Sequence, residues 1–129
     1  MTGPRDVDAV LRSPADGDLT SDETDTFTLP GGSEIHGKIG VTVLIPQGSA
    51  GDTLKLTLKA TDDHHKLELT HTDAIDGDDT DFPRLHHLPI PPSKSEGWSL
   101  TFDETGGANF GEVEAWVELV EHAVVPVTP

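Results

Sequence analysis

The sequence predicts an all-β protein, an antiparallel β-sandwich of seven to eight strands with an extended N-terminal arm. Residues 53–60 and 112–119 alternate apolar and polar side chains with period two, which is typical of half-buried strands. Turn-forming Gly, Pro, Asp and Ser residues recur about every ten residues after residue 26, the spacing of a sandwich or barrel. No capped segment with a helical apolar period occurs in the 129 residues. Two packed antiparallel sheets are therefore expected.

Composition and the positions of turn-forming residues divide the chain into three parts. Residues 1–25 are polar and acidic and show no strand pattern, so they are expected to form the arm. Residues 26–122 carry the strands and turns of the β-sandwich domain. Residues 123–129 are apolar but contain two prolines, and we expect an extended C-terminal tail that lies at an edge or reaches a neighbouring molecule.

The arm contains a short apolar pattern. Val7, Val10 and Leu11 are spaced like one face of a single helical turn, too short to be stable alone but able to dock on a neighbour. The alternative is a frayed terminus.

The strands expected in chain order are 26–29, 35–45, 53–60, 67–71, 84–88, 98–102 and 112–119. In the second of these, alternate residues from Ile39 to Ile45 share one face, while Gly37 and Gly40 indicate bends or bulges. The third and fourth strands are expected to pair as a hairpin through the turn at residues 62–65. Prolines at 89, 91 and 92 cannot donate to a ladder, so that segment must run at an edge or outside the sheet.

The charge balance bears on partners. The chain has 24 acidic and 8 basic residues, a formal net charge of -16. A surface of this sign repels polyanions, so a nucleic-acid partner is not expected, and solubility or a high-salt host accounts for the acidity. No apolar run approaches the roughly 18 residues that a membrane span needs, and the N-terminus lacks the apolar core of a signal peptide. Synthesis in the host cytoplasm without a secretion signal is expected.

The histidine pairs and the acidic stretch are the candidate metal sites of the sequence. The chain has no cysteine, and His64-His65 and His86-His87 are its paired histidines. Adjacent strand residues point to opposite faces, so neither pair can bind one ion without a loop, and solvated turn histidines are the preferred interpretation. The predicted loop from Asp73 to Asp81 carries five aspartates but does not fit the twelve-residue calcium pattern. No cofactor is therefore expected.

An enzyme is not expected either. The sequence contains no Gly-x-Ser-x-Gly element and no glycine-rich phosphate loop before a helix.

The two tryptophans differ in phase. Trp98 alternates with Leu100 and Phe102 and is expected in the core, whereas Trp116 alternates with glutamates and is expected on the outer face. An outward indole is a common interface anchor, and the alternative is that a loop or the arm of the same chain covers it.

Five segments in a fixed order carry a resemblance to a known class. They are Asp16-Gly17-Asp18-Leu19-Thr20, the run Gly37-x-x-Gly-Val-Thr-Val-Leu-Ile-Pro46, a Gly-Ser turn, a Leu-x-Leu-x-Leu strand leading into Asp62-Asp63, and Gly106-Gly-Ala-Asn-Phe-Gly111 before the last strand. This order resembles small structural proteins encoded among tailed-bacteriophage head genes. The resemblance implies a jelly-roll-like β-sandwich that binds the outside of an icosahedral shell as a decoration or minor capsid protein.

The expected partners are the major capsid protein and further copies of this chain, commonly as a trimer, at the outer capsid surface of the virion. The residues expected to supply apolar contacts are Val7, Val10, Leu11, Trp116, Val124, Val125 and Val127. A carbohydrate- or host-recognition module is the rival interpretation. A tail or head-completion component of the same particle is a third.

Overall fold

The computed structural model describes residues 10–29, 39–61, 70–91, 93–105 and 107–119. Predictions for the following residues lie outside these ranges: Val7, Gly37, His64, His65, Val124, Val125 and Val127.

The described residues form eight strands and one short 3-10 turn at Pro14–Asp16. The strands are β1 (Val10–Arg12), β2 (Glu23–Thr28), β3 (Ile39–Ile45), β4 (Thr53–Ala60), β5 (Thr70–Asp76), β6 (Arg84–Pro89), β7 (Gly97–Glu104) and β8 (Glu114–Leu119). They make two four-stranded sheets with the orders β1-β8-β3-β6 (sheet A) and β2-β7-β4-β5 (sheet B), and every pairing is antiparallel.

The chain winds between the sheets in the manner of a jelly roll. Every connection between consecutive strands crosses from one sheet to the other except the β4–β5 hairpin. This order is that of the eight-stranded double-sheet jelly roll, in which both sheets contribute to one core. The predicted antiparallel sandwich of seven to eight strands is confirmed.

The core lies between the two inner faces, and alternation decides which residues enter it. In β4, Leu54, Leu56 and Leu58 are buried while Lys55 and Lys59, which alternate with them, are exposed. Trp98 is buried as predicted, and its indole N–H donates to the Ser95 carbonyl at 3.0 Å, so the polar atom is satisfied in the interior. The fully buried side chains include Leu19, Val41, Val43, Ile45, Leu88, Leu100, Phe102, Phe110, Val113 and Ala115.

The prediction that residues 1–25 contain no strand is wrong for the described part of that segment. Val10 and Leu11 belong to β1, which pairs with β8, and they are extended, not helical. Three residues cannot form a stable strand alone, but the edge of an existing sheet supplies their backbone partners. Leu19 is fully buried and exchanges backbone hydrogen bonds with Phe110 and Gly111.

Two further predictions concern the second half of the sandwich. The segment from Asp73 to Asp81 was predicted as a loop, but β5 continues to Asp76 because its residues pair with β4 as far as Thr53. The proline-rich segment was predicted at an edge, and β6, which ends at Pro89, is indeed the edge strand of sheet A. At an edge, the backbone N–H that Pro89 lacks costs the sheet no ladder hydrogen bond.

Candidate functional site

The outer face of sheet A differs from an ordinary solvated sheet face. Register places Val10, Trp116, Thr42 and His87 in one row across all four strands. Trp116 is only 9% exposed and Thr42 only 1%, although both lie on the side away from the core. The chain itself therefore covers the indole, which is the alternative that the sequence left open.

A hydrogen-bond network fixes this row. Glu118 Oε1 accepts from the Thr42 hydroxyl at 2.7 Å, and its other oxygen accepts from the Trp116 indole at 3.0 Å. His87 Nδ1 lies 3.0 Å from the same Thr42 oxygen. Because Thr42 has one proton and donates it to Glu118, His87 must donate its Nδ1 proton to Thr42. Four side chains on three strands are thereby held in one arrangement.

Apolar side chains adjoin the network. Leu44 and Leu85 are cross-strand partners in β3 and β6, and Leu44 also pairs with Glu114 of β8. Leu85 is 56% exposed and is the exposed large hydrophobic side chain of the described residues. We define the docking face as the outward residues Val10, Leu44, Leu85, His87, Pro89, Glu114, Trp116 and Glu118. An apolar group with polar side chains around it is a common composition of a protein-binding patch.

The outer face of sheet B has the opposite character. Most of its outward side chains carry hydroxyls, and one row runs across all four strands through Thr24, Thr101, Thr57 and Thr72. Hydroxyl pairs within this row lie 3.1 and 3.2 Å apart. Lys55 and Lys59 are the cations on this face. The remaining outward hydroxyl residues are Thr26, Thr28, Thr53, Thr70 and Ser99.

The two histidines of β6 point to opposite sides of the strand, as predicted. His87 faces outward, whereas His86 faces the inner side and its Nε2 lies 2.7 Å from Asp73 Oδ2. His71 Nε2 reaches the same oxygen at 3.1 Å. Among the residues that the structure describes, no group of three or more His, Asp or Glu side chains is arranged to hold a metal ion.

The acidic stretch after β5 uses its carboxylates within the chain. Asp76 accepts from the Asp78 backbone N–H, and Asp78 accepts from that of Gly51, both at 2.9 Å. Asp79 pairs with Arg84 at 2.9 Å. These contacts fix the turn between β5 and β6 and join it to the β3–β4 turn.

The sequence-predicted interface residues are only partly brought together. Val10 and Trp116 are cross-strand partners on the docking face, whereas Leu11 is half-buried against the core. Sequence reasoning missed Thr42, Leu85 and Glu118. Alternation in β3 placed Thr42 outward, but no local pattern showed that three strands would bring these side chains to one outer face.

The fold and this face define the protein as an antiparallel jelly roll with one partly apolar outer surface. Comparisons with protein-family models, curated proteins and solved structures find no match for the chain. Within the described ranges, no helix is long and apolar enough to cross a membrane.

Proposed function

We propose that the protein is a structural component of a virus particle, a decoration or minor capsid protein that binds the outer surface of a tailed-bacteriophage capsid and stabilises it. The observation that carries the proposal is the docking face, where exposed Leu85 and half-buried Leu44 adjoin a fixed Trp116–Glu118–Thr42 network. A partner that covers Leu85 and Leu44 gains apolar burial, while hydrogen bonds within the chain already hold the neighbouring Trp116, Glu118 and Thr42 side chains in place.

The charge is consistent with this location. At a net charge of -16 the chain is repelled by packaged nucleic acid and favours the outside of a particle. The fold is compatible as well, since jelly rolls occur in viral capsid proteins, but they also occur in lectins, so the fold alone does not select a function.

The patch is small, which fits repeated binding better than a single tight contact. On an icosahedral shell, many copies each bind equivalent positions, and a trimer would engage three shell subunits at once. In this proposal the major capsid protein is the partner. The arm (Val7) and the tail (Val124, Val125 and Val127) are proposed to add contacts to neighbouring subunits.

Binding to shells tests the proposal. Purified protein is mixed with particles of the source virus that lack it, and bound protein is quantified after sedimentation. Leu85→Lys should reduce the affinity about tenfold, because covering the 56% of Leu85 that is exposed contributes about half of the roughly 1.5–3 kcal/mol of a fully buried leucine. The matched control is Thr57→Lys, which adds the same charge to the outer face of sheet B and should bind normally. Absence of binding by the unchanged protein, or equal loss in both variants, would exclude the docking face.

A carbohydrate- or host-recognition module is the second candidate. The hydroxyl row of sheet B favours it, because hydroxyls can donate to and accept from sugars, and lectins include jelly rolls. Glycan-array binding with and without calcium, lost in Thr57→Lys and kept in Leu85→Lys, would support this function instead. Immunogold labelling of intact particles would distinguish a capsid position from a tail or head-completion position.

A further inference from the structure

The docking face uses its side-chain hydrogen-bond donors within the chain. The Thr42 hydroxyl and the Trp116 indole N–H both donate to Glu118, at 2.7 and 3.0 Å. Since the hydroxyl has one proton, the proton between Thr42 and His87 belongs to His87 Nδ1, which lies 3.0 Å from the Thr42 oxygen. The three donors of this network are therefore all engaged.

The polar atom that the network leaves over is Nε2 of His87. An uncharged imidazole carries one N–H, and here that proton is on Nδ1, so Nε2 is an acceptor. His87 is exposed, and no described residue donates a hydrogen bond to its Nε2 atom. Thr42, in contrast, is only 1% exposed, so a buried hydroxyl sets the tautomer of an exposed imidazole. A side chain that is oriented in advance loses little freedom when a partner binds.

The charged groups of this face are acceptors as well. Glu114 and Glu118 are half-buried residues of β8, and a carboxylate oxygen can accept more than one hydrogen bond. Within the described strands of sheet A, the arginines are Arg12 and Arg84, and both lie on the inner side. The described part of the docking face is therefore negative, and its side chains offer a partner hydrogen-bond acceptors.

The free acceptor lies beside the exposed leucine. Leu85 and His87 alternate along β6, so their side chains project from the same face roughly 7 Å apart. Leu85 is 56% exposed. Lysine and arginine have an apolar stem that packs on such a surface and a cationic head that only donates hydrogen bonds. One side chain of this kind can cover Leu85 and reach Nε2.

We propose that the docking face selects a lysine or arginine side chain of its partner, whose stem covers Leu85 and whose cationic head donates to Nε2 of His87 near the Glu118 carboxylate. The proposal rests on the proposed capsid binding, and the capsid protein carries this side chain. His87 is then a specificity-determining residue. A partner that offers a carboxylate or carbonyl at this position is rejected, because two acceptors would face each other.

The tautomer can be measured on the protein alone. At a pH of about 8.5, above the range in which imidazoles ordinarily titrate, the nitrogen chemical shifts of isotopically labelled histidines distinguish Nδ1–H from Nε2–H. His87 should show the Nδ1–H form. Thr42→Val removes the acceptor that fixes this form, and the preference for it should be lost.

Binding to particles that lack the protein tests the partner's side of the contact. His87→Asn keeps an amide donor for Thr42 but has no acceptor at the Nε2 position. It should bind about tenfold more weakly, which is the loss expected for a hydrogen bond to a charged donor. His87→Gln places an amide oxygen near the Nε2 position and should recover most of this loss.

The charge of the partner's group is tested at the same position. His87→Lys should weaken binding by about tenfold or more, because two cations would meet. His87→Glu should bind at least as tightly as His87→Gln, because a carboxylate accepts from a cation more strongly than an amide does. Thr57→Lys and Thr57→Glu place the same charges on the outer face of sheet B and correct for the change in net charge.

Three results would overturn the selection of a cationic donor. They are an Nε2–H tautomer in the unchanged protein, equal binding by His87→Asn and the unchanged protein, and binding that survives in His87→Lys but is lost in His87→Glu. Each is compatible with a loss of binding in Leu85→Lys, which would leave the docking face and the capsid function in place. Absence of binding by the unchanged protein would instead refute the capsid function and the donor selection together.

Discussion

The two edges of the sandwich are closed by the same type of contact with different chemistry. At the β1–β2 edge, the guanidinium of Arg12 donates to both Glu23 oxygens at 3.0 Å. At the β5–β6 edge, two imidazoles share one oxygen of Asp73. Each contact links sheet A to sheet B, and each puts polar groups on the inner side of edge strands, which discourages strand addition by other chains.

The difference lies in burial and in titration. The Arg12 side chain is 1% exposed, and its Nη1 atom donates to the carbonyls of Gly17 and Val113 at 2.9 and 2.8 Å. A buried fixed charge needs such partners, because leaving one partner out costs several kcal/mol. The Asp73 side chain is 32% exposed, and its carboxylate loses its charge in acid. One edge is therefore a permanent connection, whereas the other depends on pH.

The largest expected loss of stability comes from removing the Arg12–Glu23 contact at the β1–β2 edge. Arg12→Met should lower the free energy of unfolding by about 3 kcal/mol, because Glu23 and two carbonyls lose their donor. Urea denaturation at neutral pH measures the loss. Arg84→Met is the control, since its partly exposed pair with Asp79 should contribute only about 0.5 kcal/mol. Equal losses in the two variants would mean that burial of Arg12 does not matter.

The second-largest expected loss of stability concerns Asp73 at the β5–β6 edge. Asp73→Asn should lower the free energy of unfolding at pH 7 by about 1 kcal/mol, the usual net value of a lost hydrogen bond. Since the pKa of Asp73 is lowered in the folded protein, its contribution is complete above its ordinary pKa of about 3.9 and is lost as the pH falls through the lower folded value. Thermal unfolding at acidic and neutral pH should therefore show the difference between variant and wild type shrinking in acid. A constant difference would contradict this linkage.

The smallest expected change in stability also concerns the β1–β2 edge. Asp25 is an inward residue of β2, and its Oδ2 atom is buried without a hydrogen-bond partner. Burial raises its pKa, and the carboxylates of Glu23 and Asp16 raise it further, against a smaller opposing effect of Arg12. The ionised form thus costs stability at neutral pH, and this cost disappears below the ordinary pKa, where the group is neutral in both states.

Asp25→Asn should accordingly raise the free energy of unfolding by about 0.5 kcal/mol at pH 7, a typical size for a modest substitution. In strongly acidic solution the gain should be absent. Chemical denaturation at both pH values measures it, with Asp103→Asn on the outer face of β7 as a control that should change little. A loss of stability at pH 7 would show that Asp25 is needed in its charged form.

Much of the fold could be predicted from the sequence, because alternation is a local property. Leu54, Leu56 and Leu58 had to share one face of an extended chain, and their burial follows once any second layer covers them. Prolines 89 and 91 confined their segment to an edge for an equally local reason. Leu67 and other residues of the predicted hairpin lie outside the described ranges.

The positions of the polar contacts could not be predicted in the same way. Arg12 and Glu23 lie 11 residues apart, and Thr42 and Glu118 lie 76 apart, so no spacing along the chain indicates that either pair meets. β1 has only three residues and exists because β8 offers a partner. Trp116 lies on the outer face, as alternation predicted. How much of its side chain is exposed depends on which other parts of the folded chain cover it.

The sequence by itself determined that the protein is a two-layered antiparallel sandwich and which side of most strands faces the core, since period-two patterning acts residue by residue. Tertiary structure alone decided which side chains meet which carboxylates at the two edges and which outer face carries the apolar patch. Those contacts join strands that are distant in the chain, and their energies depend on distances and burial that exist only after the sheets have packed.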